Sequence, residues 1–354
     1  MRGIGRRKQA GGFRKLDART AIKEIKQGKV SPLYLCYGTE KYQIREFVDT
    51  LTNQLVEPEQ REMAVVQIDL SETPVELVVE EAETLPFLVE RKLVIVQSAS
   101  LFTAAKEGGK VEHNVERLLS YLADPAEYSV ILFIANGEKL DERKKTVKMI
   151  KTAGQVLSFM PLGASELVQW VIREAGKHKC TMGQQAAEAL IANAGVQMST
   201  LSAEVNKLCL FTGAGGEITV EAVGTLVART TEQNVFSMVE DIANLKLDRA
   251  LGTFYELLKQ KEEPIKIASL IARQFRIMLQ VKELGSQSYS QQQIASQLGL
   301  HPYAVKIAGE QARKFSPQQL AQTLSQLAQL DYQMKSGGID KVLGIEMFLL
   351  KLGA

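Results

Sequence analysis

Apolar residues fall along this chain in two rhythms. Up to residue 159 they come in short unbroken runs: LYLCY (33–37), AVVQIDL (64–70), KLVIVQS (92–98), SVILFIA (129–135) and QVLSF (155–159). Runs of that length read as buried strands. Between them the spacing turns helical, over 40–55, 74–84, 113–123 and 141–152. Strands alternating with helices predict a mostly parallel sheet covered on both sides. From residue 160 the rhythm is helical throughout. ASELVQWVIREAGKH, GQQAAEALIANAG, STLSAEVNKLCLFTG and TVEAVGTLVA read as short helices punctuated by Gly183, Gly195 and Gly213, with Trp170 at helical spacing from Leu167 as a core position. Past 232, NVFSMVEDIANLK, LDRALGTFYELLKQ, IKIASLIARQFRIMLQVKEL and two later helical pairs complete the chain. The expected organisation is an α/β domain over 16–159 followed by two all-α domains, 160–229 and 230–354.

Composition narrows the picture only a little. A chain of 354 residues with 45% hydrophobic and 24% charged residues is an ordinary globular sequence of two or three domains. It has no apolar run of the ~18 residues that a membrane-spanning helix needs. The start, MRGIGRRKQAGG, carries Arg2, Arg6, Arg7 and Lys8 but lacks the apolar stretch of a secretory signal; it reads as an extension or as a basic arm for nucleic acid. Cys36, Cys180 and Cys209 are odd in number and far apart, so neither a disulfide framework nor a paired-cysteine zinc site is expected, and a reducing cytoplasm is the natural setting. A net charge of +2 points to no polyanionic partner by itself.

The stretch from Leu33 to Val48 has the layout of a strand, a phosphate loop and a helix. A working loop of that kind surrounds phosphate with backbone N–H groups and adds a lysine and a hydroxyl, in the pattern G-x-x-x-x-G-K-[ST]. Here Gly38 stands alone, followed by Thr39, Glu40, Lys41 and Tyr42. Glu40 places negative charge where phosphate belongs, and Lys41 comes too early. The strands that should end in magnesium-holding carboxylates end instead in Gln97 and Ser98, or offer only Glu138 beyond Gly137. The loop keeps the shape of a nucleotide site without its chemistry. No cofactor, metal or catalytic constellation is expected.

The segment ETPVELVVEEAETLPFLVERKLVIV begins at Glu72 with a helix start: Thr73 as N-cap, Pro74 at the first helical position and Glu76 as capping-box partner. Glu76, Glu80, Glu81 and Glu83 face water, and Val75, Val78, Ala82 and Leu85 form an apolar stripe. Pro86 disfavours helix at Leu85 and ends it there. Periodicity alone is satisfied if Leu85 and Phe87 pack beneath the helix end as core.

Several segments together resemble the delta subunit of the bacterial DNA polymerase III clamp loader: YGTEKYQI (37–44), AETLPFLVERKLVIVQ (82–97), EKLDERKK (138–145), EEPIKI (262–267), RQFR (273–276), LHPYAVK (300–306) and MKSG (334–337). They fall in order from about Leu16 to the C-terminus. The resemblance implies an ATPase-like first domain, a small helical domain and a helical collar. It also implies a subunit that hydrolyses no ATP, binds the ring-shaped sliding clamp and helps open it for loading onto primed DNA. Its partners would be the clamp, the other subunits of a hetero-oligomeric ring and, through that assembly, primed DNA at replication forks in the cytoplasm. The family's clamp-contacting hydrophobic pair lies in the connection after the helix, which carries over to Leu85 and Phe87. The inserted Pro86 leaves open which of Leu85, Phe87 and Leu88 points outward.

Two basic features stand beside this. Lys144, Lys148 and Lys151 fall at i, i+4 and i+7 after Asp141, with Arg143 and Lys145 close by. They form either a solvated face or a sequence-independent contact with the phosphate backbone or a neighbouring subunit. QQQIASQLGLHPYAVKIAGEQARKF (291–315) resembles a helix-turn-helix, with Ala295, Gly299 and Val305 at packing positions and Lys306, Arg313 and Lys314 free to face phosphate. Two rival functions follow: a DNA-binding regulator built on that pair, or a nucleotide-hydrolysing ring ATPase.

Overall fold

The computed structural model describes residues 18–87, 89–104 and 111–352. The chain divides into two compact units, 1–161 and 162–354. In the first, α1 (Ala18–Lys26), β1 (Leu33–Gly38), α2 (Lys41–Leu55), α3 (Arg61–Ala64), β2 (Val65–Asp69), α4 (Val75–Glu83), β3 (Lys92–Gln97), α5 (Val115–Ala123), β4 (Ser129–Asn136), α6 (Lys145–Ala153) and β5 (Gln155–Phe159) follow in order. All five strands are parallel, in the spatial order β2-β3-β4-β1-β5.

The period-two geometry of strands sorts the apolar runs onto two faces. Leu33, Leu35, Val94, Val96, Ile131 and Phe133 join the side chains of α4, α5 and α6 on one face. Tyr34, Cys36, Leu93, Ile95, Val130, Leu132 and Ile134 meet α1 and α2 on the other. The inner strands β1, β3 and β4 read as continuous apolar runs because neither of their faces meets water, whereas the edge strand β2 leaves Gln67 exposed.

The second unit opens with α7 (Ala164–Lys177), β6 (Thr181–Met182), α8 (Gln184–Ala194), α9 (Met198–Thr212), β7 (Glu217–Ile218) and α10 (Val220–Leu226). The paired β6 and β7 are too short to show in the sequence. Leu167 and Trp170 are both buried, as their helical spacing predicts. It continues with α11 (Thr231–Ala243), α12 (Leu247–Lys259), α13 (Pro264–Ser286), α14 (Gln291–Leu298), α15 (Pro302–Ala312), α16 (Pro317–Ser336) and α17 (Lys341–Leu352), which share one apolar core.

The basic N-terminal arm lies outside the described residues. Among the described residues no helix is long and apolar enough to cross a membrane, and no group of histidine, cysteine or carboxylate side chains is placed to hold a metal ion.

Candidate functional site

At the carboxyl end of β1 the phosphate-loop geometry is occupied by the protein itself. Gly38 turns with φ +137°, and a Cβ there would lie 1.9 Å from the carbonyl oxygen of Phe159. That same carbonyl accepts the Glu40 N–H at 3.0 Å. The Glu40 carboxylate folds back to accept the Tyr42 N–H at 3.3 Å, capping α2 where an anion would otherwise dock. Burial pushes the Glu40 carboxyl above the usual carboxylate range, while the Tyr42 amide draws it back. Opposite, Ser98 follows β3 at φ +53°, and the nearby Asp69 carboxylate, in register with Gln97, is engaged by the Ser71 N–H and hydroxyl.

The connection from α4 to β3 is arranged in the opposite way. Val75, Val78, Val79 and Ala82 bury one side of α4, but Leu85 and Phe87 remain 72% and 75% exposed. Leu85 thus leaves the apolar stripe that its spacing assigned to it, because the helix stops at Glu83 with Thr84 as an extended C-cap. Leu88 lies outside the described residues. The helix start also differs from expectation. Pro74 itself is the N-cap and makes no side-chain cap, so the Thr73–Glu76 capping box does not form. The Val75 N–H instead donates to Nδ1 of His113, at 3.2 Å.

The feet of this connection are held by side chains from elsewhere. Tyr128 Oη donates to the Glu83 carbonyl at 2.7 Å, and Ser129 Oγ to the Ala82 carbonyl at 2.6 Å. Lys92, nearly fully buried, extends Nζ to Glu81 at 2.9 Å. Arg117 pairs with Glu83. None of His113, Tyr128 or Ser129 is signalled by local pattern, since each lies in another element and reaches its partner only in the folded chain.

The basic stretch before β5 is partly committed inward. Lys144 is not on the helix but at the N-cap of α6, in extended backbone, with Nζ 3.3 Å from the Ser100 carbonyl. The expected i, i+4, i+7 face therefore loses its first member. Lys151 pairs with Glu142, and Arg143 grips Asp141 at 2.9 Å, holding its carboxyl down at about 2. Lys148 is exposed, with no side-chain partner among the described residues. In the helical pair 291–315, Ala295, Val305, Ala308 and Ala312 enter the shared core, and Gly299 makes the left-handed turn at φ +63°. Lys306 lies 4.0 Å from Glu310 and Lys314 2.5 Å from Asn244, while Arg313 is exposed. The pair packs as a structural unit rather than presenting a free reading helix.

Comparison with known proteins gives a consistent result. Family models described as "DNA polymerase III, delta subunit" and "DNA polymerase III delta subunit, C-terminal domain" match residues 34–160 and 232–352. The DNA polymerase III subunit delta of Bacillus subtilis (strain 168) is 43% identical over 330 residues, covering 93% of this chain and 95% of its own. A probable DNA polymerase III subunit delta of Aquifex aeolicus (strain VF5) is 21% identical over 242 residues, 68% of this chain and 67% of its own. The solved structure of the Bacillus subtilis DNA clamp loader delta protein superposes with a TM-score of 0.79 at 42% identity, covering 95% of this chain and 99% of that one.

Proposed function

Because the chain belongs to the family of DNA polymerase III delta subunits, we propose that it binds the ring-shaped sliding clamp through the α4–β3 connection and helps open it for loading onto primed DNA. One observation carries this reading: two large apolar side chains, Leu85 and Phe87, project into solvent from a connection whose feet are firmly held. Exposure on that scale wastes apolar burial unless a partner covers it, and a few such anchors commonly supply most of an interface's energy. Opening needs no chemistry. A subunit that binds an opened or distorted ring better than the closed one shifts that equilibrium by the difference in affinity.

On this reading the subunit hydrolyses nothing. The Glu40 amide and the α2 N-terminus are already satisfied by Phe159 and by the Glu40 side chain, which leaves no cradle for phosphate. ATP on neighbouring subunits of the hetero-oligomeric ring would govern whether the connection is exposed. The helices of 230–354 serve as the collar that joins those neighbours, with 160–229 as a separate small helical domain. Lys148 is the basic group best placed for DNA or subunit contact, since Lys144, Lys151 and Arg143 are engaged by Ser100, Glu142 and Asp141. The workplace is the cytoplasm, at replication forks.

The test is surface plasmon resonance against the matching sliding clamp, with wild type beside a Leu85→Ala/Phe87→Ala double mutant. The expected result is a loss of at least ~100-fold in affinity, about 2.7 kcal/mol. Thermal stability should stay within ~0.5 kcal/mol of wild type, because both side chains are exposed. Equal binding by both proteins would remove the anchor, and no binding by wild type would remove the function.

A further inference from the structure

We propose that Tyr128, together with its neighbour Ser129, is the positioning residue of this contact: it holds both feet of the projecting connection and fixes the direction in which Leu85 and Phe87 leave the fold. The inference rests on the assignment of that connection to the clamp. Tyr128 acts at the departing foot through its hydroxyl, on the Glu83 carbonyl at 2.7 Å. At the returning foot it acts through its own carbonyl, which accepts the Lys92 N–H at 3.0 Å. A single residue at the start of β4 thus closes a loop that begins 45 positions earlier.

The helix end shows what this grip achieves. An α-helix finishes with four carbonyls that have no partner within it. Here all four are satisfied. The Glu80 carbonyl accepts from Thr84 N–H and Oγ1, and the Glu81 carbonyl shares the same N–H. Ser129 takes the Ala82 carbonyl and Tyr128 takes that of Glu83. The last turn has no loose acceptor to let it fray, and Pro86 then holds Leu85 out of the helical region. Below, the ion pair of buried Lys92 with Glu81 ties the first residue of β3 back to α4. A connection whose feet are fixed before its partner arrives loses less conformational freedom on binding. Tyr128 therefore contributes to affinity without touching the clamp.

Tyr128→Phe keeps the ring and removes one hydroxyl; Tyr128→Phe/Ser129→Ala removes both. Clamp affinity by surface plasmon resonance is read alongside amide hydrogen exchange at Thr84 and the last turn of α4. Tyr128→Phe should weaken the clamp ~3–10-fold, the effect of one hydrogen bond, and the pair should weaken it further. Exchange should quicken at Thr84 and the last turn of α4 while β3 and β4 stay as in wild type. In a Phe87→Ala background the Tyr128→Phe loss should shrink, because there is less anchor to aim. Wild-type affinity in both variants would overturn the proposal. So would a loss accompanied by faster exchange across the whole sheet, or one that adds in full to that of Phe87→Ala. Failure of the wild-type chain to bind removes the underlying assignment instead, so the wild-type control separates the two failures.

Discussion

The loop after β1 and the connection after α4 are made of the same materials, a helix end and a few irregular residues, and differ in which groups remain available. In the first, the Glu40 carboxylate and the neighbouring amides are engaged within the chain. Gly38 approaches the Phe159 backbone too closely to admit a side chain, and the Glu40 amide and carboxylate both have partners within the chain. In the second, the carbonyls of the helix end are equally well satisfied, but the apolar side chains of Leu85 and Phe87 are left in water. A loop's capacity to bind follows from what the fold leaves unpartnered. In the nucleotide-like outline of the first, the Glu40, Lys41 and Tyr42 amides already have acceptors within the chain.

The strongest way to break this contrast is Gly38→Ala. A methyl group 1.9 Å from a backbone oxygen, at a φ that side chains rarely adopt, forces β5 away from β1. The expected cost is ~3 kcal/mol, read by urea denaturation. Clamp affinity of the folded fraction should be unchanged. A loss under ~1 kcal/mol would mean that the loop can open after all. Next comes Glu40→Ala, which removes the α2 cap for ~1 kcal/mol. It should confer no ATP binding in isothermal titration calorimetry, because the Phe159 carbonyl still occupies the Glu40 N–H. Heat of nucleotide binding in this variant would show that the carboxylate alone had closed the site.

The smallest effect concerns the charge itself. Burial raises the Glu40 carboxyl, so the folded chain holds that proton more readily than the unfolded chain does. Stability from this group therefore rises as pH falls through the raised value towards the ordinary glutamate range. Glu40→Gln, which keeps a side-chain oxygen for Tyr42, should be the more stable form at pH 7 by up to ~0.5 kcal/mol, since part-exposure screens the effect. The two proteins should converge near pH 4 in thermal melts. A wild-type chain that is the more stable of the two at pH 7 would reverse the sign.

Much of the sheet domain was legible in the sequence because its inner strands are buried on both faces and write continuous apolar runs. Each of the five runs became a strand within a residue or two of its predicted ends. The degenerate phosphate loop was legible too, as a list of missing residues, but the Phe159 carbonyl that fills it was not. Periodicity carried Leu85 one turn too far along the α4 stripe; Pro86 marked the correct stopping region, yet only the fold showed both flanking side chains in water. The α4 start misled because Thr73, Pro74 and Glu76 have the right types, while His113, 38 positions away, supplies the acceptor. Lys144 fits a helical face by number alone, but its ammonium turns back to the Ser100 carbonyl. α1 escaped notice because only Ala21 and Ile25 of its nine residues are buried. Local pattern records what a residue buries and is silent on distant partners that close a cap, a loop or an ion pair.

The strand order has a consequence for how the domain is made. β1 leads the chain, but its two neighbours are β4 and β5. Leu33 must wait for Ile131, roughly a hundred residues later, before its first ladder can form, a separation that slows folding. During synthesis β2 and β3 can pair as soon as both have emerged, and β4 can add to them. The oldest strand enters last but one, into the gap between β4 and the strand that closes the sheet. Until then LYLCY is an unpaired apolar edge. The segment most exposed to misassembly in the nascent chain becomes an inner, largely buried strand of the finished domain.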